Sequence, residues 1–127
     1  IYANSEGGVV ADNNLIIDNT LYNNTDVGLK GSWNNCYYSD GDSADGVAIV
    51  RDYGHRNQIL HNTVFKNSDD GIDVLGSQNS YVAFNLTSKN GAPETISGNG
   101  NGIKACSIKG AAAKVEYNIS FDNKEHG

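Results

Sequence analysis

Four aspartates and one lysine recur at fixed distances from a repeated glycine. Asp45 and Asp70 stand directly before a glycine, Asp73 and Lys104 stand two residues after one, and Asp69 adds a further carboxylate. Crowded carboxylates raise one another's pKa unless a cation neutralises them, and Ca²⁺ prefers oxygen ligands of this kind. A solvated acidic turn without an ion is the alternative. The predicted calcium ligands are Asp45, Asp69, Asp70 and Asp73.

Lys104 has the position of a base beside this acidic group. A divalent cation nearby disfavours the ammonium, lowers the pKa of the lysine and makes the neutral amine more available. A cation that also binds a substrate carboxylate makes the adjacent C–H acidic enough for Lys104 to remove its proton. This chemistry fits a uronic-acid polysaccharide that is cleaved by β-elimination of its O4 leaving group. The alternative is that Lys104 is only a salt-bridge partner of Asp73.

The elements that must position these residues follow from the repeat. A glycine, an apolar residue and an outward candidate recur at intervals of about 18 to 31 residues, which leaves room for two or three short strands and no crossover helix. Stacked units of this kind form an all-β parallel β-helix, a solenoid, here of about five coils. The glycines of the frame are Gly8, Gly28, Gly46, Gly71, Gly102 and Gly127.

Pairs of asparagines five residues apart support the same phase, and we expect them to lie in the turns, where their amides satisfy backbone groups. The pairs are Asn19/Asn24, Asn62/Asn67, Asn85/Asn90 and Asn118/Asn123. No polar cap covers either end, so we expect residues 1–127 to be a single uncapped segment of a longer solenoid. A two-sheet sandwich is the alternative, but it would not keep the frame at one phase.

The register between coils decides whether the candidate residues meet. The apolar residue after each frame glycine is expected to point inward, so the next residue points outward on the same sheet. Asp45 is therefore expected about one rung below Asp70. Lys104 is expected about one rung above Asp73, and each separation is roughly 5 Å.

The net charge excludes some classes of partner. The chain has 15 Asp and Glu against 9 Lys and Arg, a formal net charge of −6, whereas an electrostatically driven nucleic-acid binder needs a basic surplus. No stretch approaches about 18 apolar residues, so no membrane span is expected. An anionic polymer needs positive side chains near the acidic group, although exposed basic residues are usually only solvated. The substrate-binding candidates are Lys30, Arg51, Lys109 and His126.

Two further features have open interpretations. The insertion Gly91–Gly100 precedes Lys104 and forms either one wall of a cleft or an ordinary surface loop. An aromatic residue stands six residues before four of the frame glycines, and we expect this column to stack in the core rather than to bind sugar. Its members are Tyr2, Tyr22, Phe65 and Phe121.

The segments around these residues resemble those of polysaccharide lyase family 9, the pectate lyases. The segment Asn67–Asp73 carries a DDxxD run, Gly98–Lys104 reads GNGNGIK, and Ala44–Gly46 reads ADG. The resemblance covers roughly residues 19–127. It implies a right-handed parallel β-helix of ten coils in the whole protein, with the four acidic positions holding the catalytic calcium and the lysine at Lys104 acting as the base.

The function implied is that of a calcium-dependent lyase that cleaves polygalacturonate or pectate. Its partner is then an acidic polysaccharide, and we expect a secreted or cell-surface monomer. Two other functions stay open at this point. One is a non-catalytic β-helical surface or adhesin segment in which calcium only stiffens the stack. The other is a uronate epimerase, which abstracts the same proton but returns one instead of expelling O4.

Overall fold

The computed structural model describes residues 12–26, 44–50, 54–91, 98–105 and 113–127, together with the backbone at 2–3, 31–33 and 36–38. Within these residues the chain forms short strands, and no helix there could cross a membrane. The strands are β1 Tyr2–Ala3, β2 Leu15–Ile17, β3 Thr20–Tyr22, β4 Gly31–Trp33, β5 Cys36–Tyr38, β6 Val47–Ile49, β7 Gln58–Leu60, β8 Thr63–Phe65, β9 Ile72–Asp73, β10 Tyr81–Ala83, β11 Leu86–Ser88, β12 Ile103–Lys104, β13 Lys114–Glu116 and β14 Ile119–Phe121.

Three parallel sheets of four strands account for most of these elements. Sheet 1 has the order β1-β6-β9-β12, sheet 2 has β2-β7-β10-β13, and sheet 3 has β3-β8-β11-β14. Neighbours in every sheet are one coil apart along the chain, so the chain passes through the three sheets in turn and then repeats. This arrangement confirms the predicted all-β parallel β-helix.

The described residues show where the coils lie relative to the glycine frame. Each sheet has four strands among these residues, and the N–H of Gly102 donates to the carbonyl oxygen of His126 one rung beyond β12. The frames at Gly8 and Gly28 lie outside the described residues. Leu15 pairs directly with Gln58 although 43 positions separate the two (58 minus 15), so no coil lies between them. The antiparallel pair β4–β5 lies within this interval instead.

The core follows from the length of the strands. In a three-residue strand the central side chain points opposite to its two neighbours. Ile59 in β7 and Val64 in β8 are accordingly fully buried, while residues on either side of them are more exposed. Ile72 of sheet 1 belongs to the same apolar cluster. Sheets 2 and 3 therefore each contribute one row of apolar side chains to the core. Sheet 1 contributes two, one through Val47 and Ile72 and one through Ile49 and Val74.

A glycine directly precedes strands β6, β9 and β12 of sheet 1, because the coils approach closely there. A Cβ atom on Gly71 would lie 2.5 Å from the carbonyl oxygen of Gly102 and 2.7 Å from Nδ2 of Asn90. A side chain at this position would push the coils apart and disturb the next rung. The recurring glycine is therefore a packing requirement of the stack.

Asparagine ladders form the corners. At the corner between sheets 2 and 3, Oδ1 of Asn85 accepts hydrogen bonds from both N and Nδ2 of Asn62, at 2.9 and 3.0 Å. Asn118 accepts from Asn85 in the same way. The residue before each ladder asparagine has a positive φ, for example 58° at Phe84, which turns the chain into the next sheet. The structural role predicted for the asparagines is confirmed.

The expected aromatic core stack is wrong. Tyr22 and Phe65 do stack, with ring centroids 5.1 Å apart, but each ends its strand and points outward. Tyr22 is 53% exposed and Phe121 is 46% exposed. Tyr2 lies in sheet 1, where it pairs with Ala48, and so does not share their column. The inward position belongs to the central residue of each strand, which in sheet 3 is smaller or aliphatic.

We predict that Asn85→Ala lowers the free energy of unfolding by about 3 kcal/mol, because it removes several buried hydrogen bonds at once. Nδ2 of Asn85 donates to the carbonyl oxygens of Ile59 and Ala83, and Oδ1 accepts from Asn62. Urea unfolding measures the loss. Asn19→Ala, at a half-buried position of the same ladder, is the matched control and should cost less than half as much. Equal losses of unfolding free energy in the two variants would contradict the larger contribution expected of the buried asparagine.

Candidate active site

Sheet 1 brings the predicted site residues together. Ala48 pairs with Asp73, and Asp73 pairs with Lys104, so these positions occupy successive rungs. Directly before the glycines of two adjacent rungs, the backbone N–H of Asp70 donates to Oδ1 of Asp45 at 3.0 Å. The register predicted from the glycine frame is confirmed.

The carboxylates form a compact group. Asp45, Asp70 and Asp73 each present one carboxylate oxygen to the group. These three oxygens lie within 4.8 Å of one another. Nζ of Lys104 lies 2.9 Å from Oδ2 of Asp70 and 3.1 Å from Oδ2 of Asp73. Asp70 is fully buried and Asp73 is 6% exposed, whereas the side chain of Lys104 is 24% exposed. The lysine therefore lies at the solvent side of a buried acidic group.

Asp69 makes a different set of contacts. Its Oδ1 accepts a hydrogen bond from the backbone N–H of Asn99 at 2.8 Å, and its own N–H donates to the carbonyl oxygen of Ala44. Among the described residues, the three-carboxylate group consists of the other predicted ligands and does not include Asp69. The metal-binding role of Asp69 stays a prediction. Its observed contact attaches the C-terminal end of the Gly91–Gly100 insertion to the acidic turn.

That insertion is closed at its base. Gly91 and Gly100 both have positive φ values, 80° and 70°, and a Cβ on Gly91 would lie 2.6 Å from Cα of Gly100. Nζ of Lys124 donates to the carbonyl oxygen of Gly98 at 2.7 Å. The two ends of the insertion therefore meet beside Asp69. Residues 92–97 lie outside the described residues.

Asn101 is a site residue that the search for charged groups missed. Its backbone N–H and its Nδ2 both donate to Oδ1 of Asp70, at 2.7 and 2.8 Å. Oδ2 of Asp70 is thereby directed to Lys104. A sequence signal existed, because Asn101 stands directly before Gly102, as Asp45 and Asp70 stand before their glycines.

Burial dominates the electrostatics of the group. Burial and, after it, the charges of Asp69 and Asp73 raise the pKa of Asp45 to about 8. Burial and the charge of Asp70 raise the pKa of Asp69 to about 6. Burial also raises the pKa of Asp73. The acidic group carries more negative charge than its surroundings compensate, which favours the binding of a cation.

Lys104 responds in the opposite direction. Burial alone would lower the pKa of its ammonium, but the hydrogen bonds and charges of Asp70 and Asp73 outweigh burial and hold that pKa above its usual value. The lowered pKa predicted from the sequence assumed a divalent cation beside the amine. Facing carboxylates have the reverse effect, because they stabilise the charged form.

The donor set fits a hard divalent cation. Asp45, Asp70 and Asp73 offer only carboxylate oxygens, which are the ligands of Ca²⁺, and they come from two adjacent rungs of one sheet. Three carboxylates share one ammonium, so the charge of Lys104 does not balance the ionised group by itself.

The predicted substrate-binding residues are only partly described. Lys30, Arg51 and Lys109 lie outside the described residues. His126 is exposed, and its carbonyl oxygen accepts a hydrogen bond from the N–H of Gly102 at 2.7 Å. In the previous rung, the N–H of Gly71 donates to the carbonyl oxygen of Asn101 in the same way. His126 therefore lies one rung beyond Asn101, at the edge of the site.

Comparisons with known proteins identify one relative. The chain is 26% identical to pectate lyase L of Dickeya dadantii (strain 3937) over an alignment that covers 94% of this chain and 33% of the relative. The chain thus spans about a third of that protein's length. No family model matches the chain, and no solved structure matches it.

We predict that the metal-free protein loses stability as the pH rises from about 4 to about 8. The folded-state pKa of Asp45 is raised from 3.8 to about 8, so the folded state binds more protons than the unfolded state in this range, and the free energy of unfolding falls as that proton is lost. Chemical unfolding in a chelating buffer at a series of pH values measures the slope.

Added Ca²⁺ should restore stability most strongly at the upper end of this range, because the ion competes with protons for the same carboxylates. Asp45→Asn should reduce the pH slope, leaving the part that the raised pKa values of Asp69 and Asp73 contribute, and should weaken the response to calcium. Asp122→Asn, at an exposed corner, is the control and should leave both unchanged. An undiminished slope in Asp45→Asn would contradict the assignment.

Proposed function

We propose that the protein is a calcium-dependent lyase that cleaves a polygalacturonate- or pectate-type polysaccharide by β-elimination, with Lys104 as the Brønsted base. The observation that carries the proposal is the position of Nζ of Lys104, 2.9 Å from Asp70 and 3.1 Å from Asp73 at the edge of a group that fits a divalent cation. The similarity to pectate lyase L supports the same class of reaction.

The acidic residues bind and orient in this proposal. Asp45, Asp70 and Asp73 would hold Ca²⁺. Asp69, whose Oδ1 accepts from the N–H of Asn99, is the fourth proposed ligand. The bound ion supplies the charge that binds the substrate's carboxylate and acidifies the adjacent C–H. Asn101 keeps Asp70 in position through its two hydrogen bonds to Oδ1.

Lys104 performs the proton transfer. Asp70 and Asp73 hold its amine as an ammonium. The amine becomes available as a base when the charge of those carboxylates is neutralised by a bound cation instead. Burial, which favours the neutral amine, then dominates its pKa. The amine takes the proton from the carbon next to the substrate carboxylate, a C=C bond forms, and the glycosidic oxygen at C4 leaves with the bonding electrons.

A second candidate is a non-catalytic surface or adhesin segment with a structural calcium site. The two ion pairs of Lys104 favour it, because a lysine that only neutralises Asp70 and Asp73 would make the same contacts. A uronate epimerase would use the same base and yield a saturated product. The substrate, a location outside the cell or on its surface, and a monomeric state all belong to the proposal.

We predict that Lys104→Ala lowers the rate of β-elimination on polygalacturonate by on the order of 10²–10⁴-fold, the range expected for loss of a general base. The ultraviolet absorbance of the unsaturated product measures this rate. Calcium binding, measured by calorimetry, should persist or tighten, because the variant removes a cation that competes for Asp70 and Asp73.

Lys114→Ala is the matched control, since Lys114 lies in sheet 2 and pairs with Glu116. It should retain wild-type activity. Undiminished elimination by Lys104→Ala would rule out Lys104 as the base. A wild-type protein that binds calcium but produces no unsaturated product would favour the adhesin, and a changed uronate epimer would favour the epimerase.

A further inference from the structure

The outward face of sheet 3 carries a column of residues that is aromatic in three rungs and small in one. The third residue of each strand occupies this column. In chain order its members are Tyr22, Phe65, Ser88 and Phe121. Tyr22 and Phe121 are 53% and 46% exposed. Ser88 therefore interrupts a row of outward rings.

The ring of Phe65 has one face covered by a neighbouring ring and one face without such a neighbour. It lies parallel to the ring of Tyr22, with an interplanar angle of 4° and centroids 5.1 Å apart. One rung further on, the equivalent position holds Ser88 instead of a ring. The face of Phe65 that is turned away from Tyr22 is therefore available to a ligand.

The space over Ser88 has the thickness of a sugar ring. Successive rungs are roughly 4.8 Å apart, so the backbones of Phe65 and Phe121 are roughly 10 Å apart. A pyranose ring in van der Waals contact on both sides needs about 7–8 Å, twice the usual carbon–carbon contact distance. We call this space, between Phe65 and Phe121, the Ser88 slot.

Two lysines stand directly beside the Ser88 slot. Lys66 follows Phe65, Lys89 follows Ser88, and both side chains are exposed. The N–H of Lys66 donates to the carbonyl oxygen of Ser88 at 3.2 Å, so the two lysines occupy adjacent rungs of the corner between sheets 3 and 1. In the part of the chain that the structure describes, neither ammonium forms an ion pair, although Asp122 continues the column one rung beyond Lys89.

Both lysines occupy a backbone conformation that favours other residue types. The φ values of Lys66 and Lys89 are 55° and 54°, in the left-handed region where Asn and Asp are enriched. Asn23 and Asp122 do occupy this region in the same column. Like charges on adjacent rungs also repel each other. An anion bound between the two ammonium groups would remove that repulsion.

We propose that the Ser88 slot binds one sugar unit of an anionic polysaccharide, with the apolar C–H face of the ring on Phe65 and its carboxylate between Lys66 and Lys89. This inference rests on the function proposed above for the identity of the polymer and adds a second binding surface outside the acidic group. A uronate unit offers both an apolar ring face and a carboxylate, which an aromatic ring and two ammonium groups recognise together.

The slot would offset the charge of the rest of the chain. The net charge is −6, so long-range electrostatics oppose the approach of a polyanion. Lys66 begins the turn that leads to Asp69 and Asp70. A long polymer held at the slot is thus attached to the coil that carries these carboxylates, through contacts that need no metal ion.

Binding without calcium tests the slot, since the acidic group needs Ca²⁺ to bind a polyanion in the function proposed above. The full-length protein is run by affinity electrophoresis through gels that contain polygalacturonate and a chelator, and its retardation gives an apparent Kd. We expect retardation that weakens as the salt concentration rises. A gel that contains a neutral galactan should retard the protein far less, and equal retardation there would contradict recognition of the carboxylate.

The double variant Lys66→Asn/Lys89→Asn should raise the apparent Kd for polygalacturonate about tenfold, because it removes both ammonium groups. Asparagine suits the corner, since Asn23 adopts the same conformation in this column. The charge-matched control is Arg56→Asn/Lys114→Gln, which removes two exposed positive charges elsewhere. It should leave the apparent Kd within about twofold of the wild-type value.

Ser88→Phe is the variant that fills the slot. Its ring would continue the stack of Tyr22 and Phe65, so the midpoint of urea unfolding should not fall, whereas the apparent Kd should rise about tenfold. Stability that is kept while binding is lost separates a ligand site from a purely structural ring stack.

Equal rises in the apparent Kd of the two double variants overturn the proposal, and so does unchanged retardation of Ser88→Phe. The test is separate from that of the proposed function, because the gel requires neither calcium nor turnover. A protein that is retarded but lacks elimination activity supports the slot and defeats the lyase. An active lyase that is not retarded in chelator supports the lyase and overturns the slot.

Discussion

The hydrogen bonds between asparagines in successive coils are the interaction on which the rest of the structure depends. Each ladder oxygen accepts from both the backbone and the side chain of the asparagine one coil earlier, as Asn85 does from Asn62. This geometry aligns every coil with the next to within one residue, and a slip of one residue would turn each strand inside out. The pairing of Asp73 with Lys104 follows from that alignment.

The site that results is not electrically balanced by its own residues. Asp45, Asp70 and Asp73 converge from adjacent rungs, and Lys104 is the cation that the described residues place against Asp70 and Asp73. The same carboxylates therefore determine both whether a metal ion binds and whether the lysine is charged. Metal binding and base strength are coupled in such an arrangement, because both reactions use the same negative charge.

Two longer connections of the chain begin and end beside this site. The stretch between Asp26 and Ala44 and the insertion Gly91–Gly100 both interrupt the corner between sheets 3 and 1, on either side of the turn that carries Asp69 and Asp70. The coil between them makes this corner without an insertion.

Sequence spacing alone determined the fold class, the role of the asparagines and the neighbours of Asp73, because in a solenoid equivalent positions stack directly on one another. Tertiary structure decided the rest. A full coil and a longer connection both return the chain to the same corner. The spacing around Gly28 therefore could not distinguish an additional coil from a longer connection. The partner of a buried side chain also depends on the adjacent coil, so only the structure shows that Asp69 binds Asn99 and that Asn101 orients Asp70.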